Sequence, residues 1–247
     1  MSSRIAETCC PIVELRQYTL HPGTRDVLIE LFDRELVETQ EALGMTVIGQ
    51  FRDLDDADRF VWLRGFPDMP SRGRALSDFY GGPVWKAHRD AANSTMIDFD
   101  DVRLLRPSGE ASGFSPATRD RPPRGATEIP RSLVAANVYD FGAQPTVDFP
   151  DFFDRAIKPA VTAAGAEVLA SFVTENSANN YPALPVREGE QCFVWFSRFD
   201  DEAAFDRHAA GLARSREWGE VSRELERRVP GPREVLRLSP TARSRIR

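Results

Sequence analysis

Glu14, Arg16 and Tyr18 occupy alternate positions of Ile12-Val13-Glu14-Leu15-Arg16-Gln17-Tyr18, so an extended backbone throws all three to one face and Val13 and Leu15 to the other. A carboxylate, a guanidinium and a phenol on one face suit acid–base chemistry on a small molecule. Arg16 would hold an anionic or carbonyl oxygen, Tyr18 would donate a proton or hydrogen bond, and Glu14 would act as a base where burial raises its pKa. The alternative is a Glu–Arg pair that satisfies a partly buried sheet. His88 follows Trp85 by three residues, so the two share a helix face, and with Asp90 and Asn93 nearby it is a further candidate base; an exposed helix histidine is the plainer reading. Trp62 and Trp195, with Arg64 two residues after the first and with Asn137 and Tyr139 at the second-copy positions of Arg16 and Tyr18, suit either a wall for a planar ligand or ordinary core. Asn179, Asn180 and Tyr181 lie in a proline-stiffened segment, 175–185, long enough to cover a site or to clasp two parts of the chain together.

These residues are carried by a chain that repeats itself. Trp62, Trp85, Val102 and Leu105 recur 133 residues later as Trp195, Trp218, Val235 and Leu238, while Tyr18, Gly44, Val47 and Phe51 recur 121 residues later as Tyr139, Gly165, Val168 and Phe172. The difference of 12 places an insertion between about 174 and 191 of the second copy. Each copy reads strand, helix, two strands, helix, strand: alternation over 12–18, a helix begun at Pro22-Gly23-Thr24 and stopped by Gly44, strands near 45–52 and 59–66, a helical region over 68–94 interrupted at Gly81-Gly82-Pro83, and a last strand near 97–105. In the second copy Pro159 predicts a kink in the first helix, and the second helix is expected to run unbroken over 201–227. The fold class expected is α+β, two tandem ferredoxin-like β-α-β-β-α-β repeats. Each sheet covers one face with its helices, so the bare faces press together into a barrel within one chain, and the polar face of the first strand, with Glu14, Arg16 and Tyr18, is expected to line the lumen. The expected divisions are a flexible N-terminus over 1–11, a first domain over 12–107, a Pro/Gly-rich linker over 108–130, a second, divergent domain over 131–240, and a solvated basic tail over 241–247.

A net charge of −6 with both signs interspersed argues against nucleic acid as a partner, and no apolar run is long enough to span a membrane. The first ten residues lack the features of a secretory or transit peptide, which predicts a cytoplasmic protein. Three cysteines and three dispersed histidines make no zinc or disulfide pattern, so no metal is expected; phosphate loops and nucleophile elbows are absent.

Glu14-Leu15-Arg16-Gln17-Tyr18 with Pro22-Gly23, then Phe60-Val61-Trp62-Leu63, Phe79-Tyr80, Trp85-Lys86-Ala87 and Val102-Arg103-Leu104-Leu105, resembles the NIPSNAP family over residues 12–107. The second copy matches in framework only, with Ala135 and Asn137 in place of Glu14 and Arg16. The resemblance implies the dimeric α+β barrel group, which includes cofactor-free monooxygenases, small isomerases and haem-binding chlorite dismutase-like proteins. Three readings stay open. One is a barrel that binds an apolar or aromatic carbonyl-bearing metabolite and transforms it without a cofactor. The second is a non-catalytic interaction or scaffold protein with a filled lumen. The third is a haem-binding barrel with His208 as axial ligand. Pairing of whole chains into a homodimer or larger homo-oligomer is expected on the same resemblance.

Overall fold

A computed structural model of the chain describes residues 8–115 and 120–247. Alternation makes the first strand, β1 (Ile12–Leu20). It is followed by α1 (Arg25–Leu31), a π-helical turn (Phe32–Leu36) and α2 (Val37–Ala42), which form one continuous helical rod. Gly44, at φ +85°, turns the chain out of that rod with no side chain to clash. Then come β2 (Thr46–Asp53), β3 (Arg59–Phe66), α3 (Met69–Gly81), α4 (Pro83–Asn93) and β4 (Met96–Pro107). The second repeat runs β5 (Leu133–Gly142), α5 (Phe149–Phe152), a π-helical turn (Phe153–Ile157), α6 (Lys158–Ala163), β6 (Glu167–Thr174), β7 (Gln191–Phe199), α7 (Glu202–Arg214), α8 (Arg216–Arg228) and β8 (Arg233–Pro240). No helix among the described residues is long and apolar enough to cross a membrane.

Two helix expectations are corrected. The segment over 201–227 is two helices, because Ser215 adopts extended angles and its hydroxyl caps α8 by accepting from the Trp218 N–H at 3.1 Å. Pro159 does not kink a continuous α-helix: it sits in the first turn of α6, directly after the π turn, where its missing N–H is tolerated. The first repeat has the same π turn with Glu38 in place of the proline, so the widened turn belongs to the fold and not to Pro159.

All pairings are antiparallel and the eight strands close in the order β1-β3-β2-β8-β5-β7-β6-β4. The fold is therefore α+β, two ferredoxin-like repeats joined into one barrel within a single chain. The seams are short: β2 meets β8 through Phe51, Arg52 and Asp53, and β4 meets β6 through Leu105, Arg106 and Pro107.

Three buried clusters define the layers. One gathers apolar side chains from every strand, Val13, Leu15, Val61, Phe172, Phe196 and Leu238 among them, and fills the lumen. An eight-stranded barrel has an interior about wide enough for side chains to pack, so an apolar lumen leaves no room for a charged site. The other two clusters lie between each sheet and its own helices. This reverses one expectation: Val13 and Leu15 face the lumen, whereas Tyr18, Trp62 and their polar neighbours face outward into the helix layer.

The described residues at both ends of the chain pack into the core. Cys10 and Ile246 are buried in the lumen cluster, and so is Phe114, whose ring lies 5.2 Å from those of both Phe172 and Phe196. Arg243, 2% exposed, donates to the Glu38 carboxylate and to the Asp33 carbonyl, and Thr241 and Ser244 are fully buried. The basic tail over 241–247 is thus a plug, and Cys10 of the N-terminal stretch belongs to the same cluster as Ile246 with Cys9 packed against it, while residues 1–7 lie outside the described residues.

The shared lumen makes each repeat depend on the other. Expressed alone, residues 1–110 would bare Val13, Leu15, Val61, Leu63 and Leu105 to water, and are expected to self-associate or precipitate at micromolar concentration. Sedimentation equilibrium checks this; a folded monomer is the contrary result.

Candidate functional site

The polar residues of the first repeat assemble by register and by helix placement. Glu14 on β1 stands directly opposite Arg64 on β3, and Arg16 opposite Trp62. The Asp68 carboxylate caps α3 at the Ser71 N–H, 2.6 Å away, and so fixes the helix start that brings Arg72 over the sheet. The result is a carboxylate held by three guanidiniums: Glu14 Oε2 accepts from Arg16 Nη1 at 2.8 Å and Arg64 Nε at 2.7 Å, and Oε1 accepts from Arg72 Nε at 2.7 Å. All four side chains are fully buried.

Burial by itself would push the Glu14 carboxyl up; Arg64, Arg16 and Arg72 outweigh it and hold the carboxyl well below the usual carboxylate range. Glu14 is therefore no base at neutral pH, contrary to expectation. It neutralises one of three positive charges, so the cluster is left with two in excess. One terminal nitrogen of each arginine, Nη2, is buried without a hydrogen-bond partner among the described residues.

Between this cluster and open solvent stand two phenols. Arg16 Nε donates to the Tyr18 hydroxyl at 3.0 Å, and Arg64 Nη1 lies 3.5 Å from the Tyr80 hydroxyl while also donating to Gln40 Oε1 at 3.2 Å. Neither phenolic hydrogen has an acceptor among the described residues. Burial raises the pKa of Tyr18, with Arg16 and Arg64 opposing, so it keeps its proton at neutral pH. Both tyrosines line a cleft of about 260 Å³ together with Trp85, Asn93, Phe99 and Tyr181. Tyr18, Tyr80, Trp85 and Met96 also border a small inner void of about 30 Å³ against Trp62, Phe32 and Gln40. The Trp62 ring packs beneath the Arg16 and Arg64 guanidinium carbons, at 5.5 and 5.1 Å.

The inserted segment of the second repeat covers this cleft of the first. Arg72 Nη1 donates to Asn179 Oδ1 at 3.1 Å and to Asn180 Oδ1 at 2.7 Å, Tyr181 stacks on Tyr80 with centroids 5.9 Å apart, and Leu184 is buried in the first-repeat core. Gly73 permits the approach, since a Cβ there would meet the Asn180 side chain at 2.9 Å.

Residues 13–110 match the family model described as NIPSNAP. The first repeat is a NIPSNAP domain. No curated protein matches the chain. Among solved structures, a candidate monooxygenase from Fusobacterium nucleatum is similar over 94% of this chain and 93% of that chain, at 11% identity and a TM-score of 0.58. A second candidate monooxygenase, from Lactobacillus acidophilus, covers 95% of this chain and 94% of that chain, at 17% identity and a TM-score of 0.53. At these identities the likeness is one of fold. A NIPSNAP-like domain protein from Burkholderia xenovorans, 26% identical, covers 40% of this chain and 85% of that chain with a TM-score of 0.37.

Within the NIPSNAP domain the structure brings together Glu14, Arg16, Tyr18, Trp62 and Arg64, with Tyr181 joining from the second repeat. His88 does not line the cleft: on α4 it faces the π turn, its Nε2 3.8 Å from Glu35 Oε2. Asn137, Tyr139 and Trp195 line a separate cavity beneath the helices of the second repeat, and His208 lines it too, with Nδ1 3.2 Å from the Ala164 carbonyl oxygen. Sequence reasoning missed Arg72, Gln40 and Tyr80 as parts of the NIPSNAP-domain site. A signal was available: Arg64, Arg72 and Gln40 correspond to Ser197, Phe205 and Val161 at the same repeat offsets, the same loss of polarity that singled out Glu14 and Arg16.

Proposed function

We propose that the cleft of the NIPSNAP domain binds a small apolar or aromatic molecule through a carbonyl, enol or phenol oxygen and stabilises negative charge on that oxygen. The observation that carries this reading is the pair of phenols, buried Tyr18 and half-buried Tyr80, each backed by a guanidinium and each with its hydrogen uncommitted, in front of a cluster with two excess positive charges. Preorganised donors beside excess positive charge favour an oxyanion over the neutral ligand, because they need no reorganisation as the charge forms. No carboxylate or imidazole is among the described residues lining the cleft, so a ligand acidic enough to arrive as its own anion suits it best. An enolate or phenolate so held is the reactive species of cofactor-independent oxygenases and isomerases, and this chemistry is the activity the site supports. Trp85, Phe99 and Tyr181 would pack on the planar part, and the segment carrying Asn179 and Asn180 would close over it.

4-Nitrophenol, whose phenolate absorbs in the visible, tests the electrostatics directly. Its apparent pKa when bound is expected to fall by about one unit or more, since an opposite charge within a few ångströms favours the ionised form. Tyr18→Phe and Arg16→Asn should each remove most of that shift. An apolar site without the proposed field would move the bound pKa upward, and that result would sink the reading.

A further inference from the structure

The two repeats share a backbone plan but do not share a site. At the offsets that superpose their sequences, Glu14, Arg16, Arg64 and Arg72 become Ala135, Asn137, Ser197 and Phe205, and Gln40 becomes Val161. Every formal charge of the first cluster is gone, whereas the aromatic walls are kept: Tyr18 becomes Tyr139, Trp62 becomes Trp195 and Trp85 becomes Trp218. In place of the charged cluster lies a cavity of about 390 Å³, larger than the cleft of the first repeat and lined by Ala135, Asn137, Trp195, Ser197, Ala209 and Trp218 among others. The added space follows from the substitutions, since Ala135 and Ser197 stand where Glu14 and Arg64 fill the first repeat, and Ala209 stands where Leu76 does.

Two further features point to a ligand. The Ser197 hydroxyl lines the cavity, is 1% exposed with its residue, and has no hydrogen-bond partner among the described residues, a state that costs free energy unless something else supplies the bond. Among the described residues, none from the first repeat lines this cavity, whereas Tyr181, Ala183 and Leu184 of the second repeat line the first cleft. The β6–β7 segment that covers the first cleft has as its counterpart the short connection between β2 and β3, which meets Arg237 on β8, with the Leu54 N–H on its carbonyl at 2.8 Å and the Asp55 carboxylate 2.9 Å from its guanidinium. The cation at the rim, Arg233, lies 3.8 Å from Glu226, and burial lowers the pKa of His208, leaving that imidazole neutral at neutral pH.

We infer that the second repeat holds a second binding site, specific for an uncharged, largely aromatic small molecule carrying one hydrogen-bonding oxygen for Ser197. The chain would then pair an anion-selective cleft with a neutral-selective one. This inference rests on the second repeat alone and stands or falls separately from the reading of the NIPSNAP domain.

The four tryptophans, two per site, make the test direct. Their indole N–H signals in a ¹H–¹⁵N correlation spectrum of the full chain, assigned with single Trp→Phe variants, report each cavity. Neutral 2-naphthol is expected to shift the Trp195 and Trp218 signals saturably, and 2-naphthoate, of similar size but charged, to bind there at least about tenfold more weakly, since the site offers a carboxylate no counter-charge. Ala209→Phe, at a residue that lines the cavity, should abolish the 2-naphthol response while the Trp62 and Trp85 signals hold their positions. Ser197→Ala should weaken 2-naphthol several-fold and leave naphthalene binding unchanged. No saturable shift of Trp195 and Trp218 by 2-naphthol, or equal affinity for 2-naphthoate at that site, overturns the proposal.

Discussion

Glu14→Ala alone is expected to lose about 3–5 kcal/mol of stability, whereas the five-fold variant Glu14→Ala, Arg16→Asn, Gln40→Val, Arg64→Ser, Arg72→Phe recovers most of that loss. Removing the single carboxylate strands three fully buried guanidiniums against one another, with no solvent to screen them. Removing the charges together strands none. The second repeat shows that the same backbone plan accommodates the neutral set, with Trp195 and Tyr139 still buried above the sheet. Single loss of Arg16 should be milder than loss of Glu14, because Arg64 and Arg72 still hold both carboxylate oxygens at 2.7 Å. The sign of the pH dependence follows from the depressed carboxyl. Its folded pKa lies below the unfolded value near 4.5, so the stabilisation is complete above that pH and is lost as pH falls below it. The five-fold variant lacks this source of acid sensitivity, and its stability should decline less on acidification. Urea titrations across pH measure both effects. A five-fold variant no more stable than Glu14→Ala would mean that the cluster, and not merely its charge balance, is required by the fold.

Deleting residues 241–247 is expected to cost on the order of 5 kcal/mol, an effect no solvated tail would have. The loss combines the burial of Ile246 in the lumen with several stranded polar groups. The Gln50 carbonyl loses the Thr241 N–H at 2.8 Å, the Gln50 N–H loses the Ser244 hydroxyl at 3.3 Å, and Arg121 loses the Arg243 carbonyl at 2.7 Å. Burial pushes the Asp33 carboxyl up to about 6, and Arg243 is foremost among the groups opposing it. A carboxyl raised in the folded state favours folding when protonated and disfavours it as pH rises through the folded pKa. Without Arg243 that penalty grows, so the deletion should be more damaging well above pH 6 than well below it. Thermal melts of the full and shortened chains at two pH values decide; a change within a degree or two would mean that the plug contributes little.

The polarity of β1 was legible, but its direction was not. Alternation separates Glu14, Arg16 and Tyr18 from Val13 and Leu15 whatever the fold, because side chains on a strand have a period of two. Both faces of this strand are buried, however, one against the lumen and one against helices. A polar face buried among partners cannot be told from a polar face lining a cavity by pattern alone. The difference between copies was more informative than the pattern within one, since the charged cluster is lost as a unit at fixed offsets. His88 shows the limit of helical spacing: three residues from Trp85 places it on a nearby face, but the π turn carrying Glu35 takes it away from the cleft.

By itself the sequence determined the duplication, the β-α-β-β-α-β order of each half, the joining of two bare sheets within one chain and the first-repeat polar set, because offsets, turn residues and two-fold alternation are local or repeat along the chain. Only the tertiary structure decided that the barrel is filled with apolar side chains, that the site lies between sheet and helices, that Arg72, Gln40 and Tyr80 belong to it, and that a loop of the second repeat closes it. Those facts depend on pairings between residues as far apart as Arg72 and Asn180, 108 positions along the chain, and on which of two buried faces has space for a guanidinium. Closure of eight strands sets that space, and it is a property of the whole barrel rather than of any stretch within it.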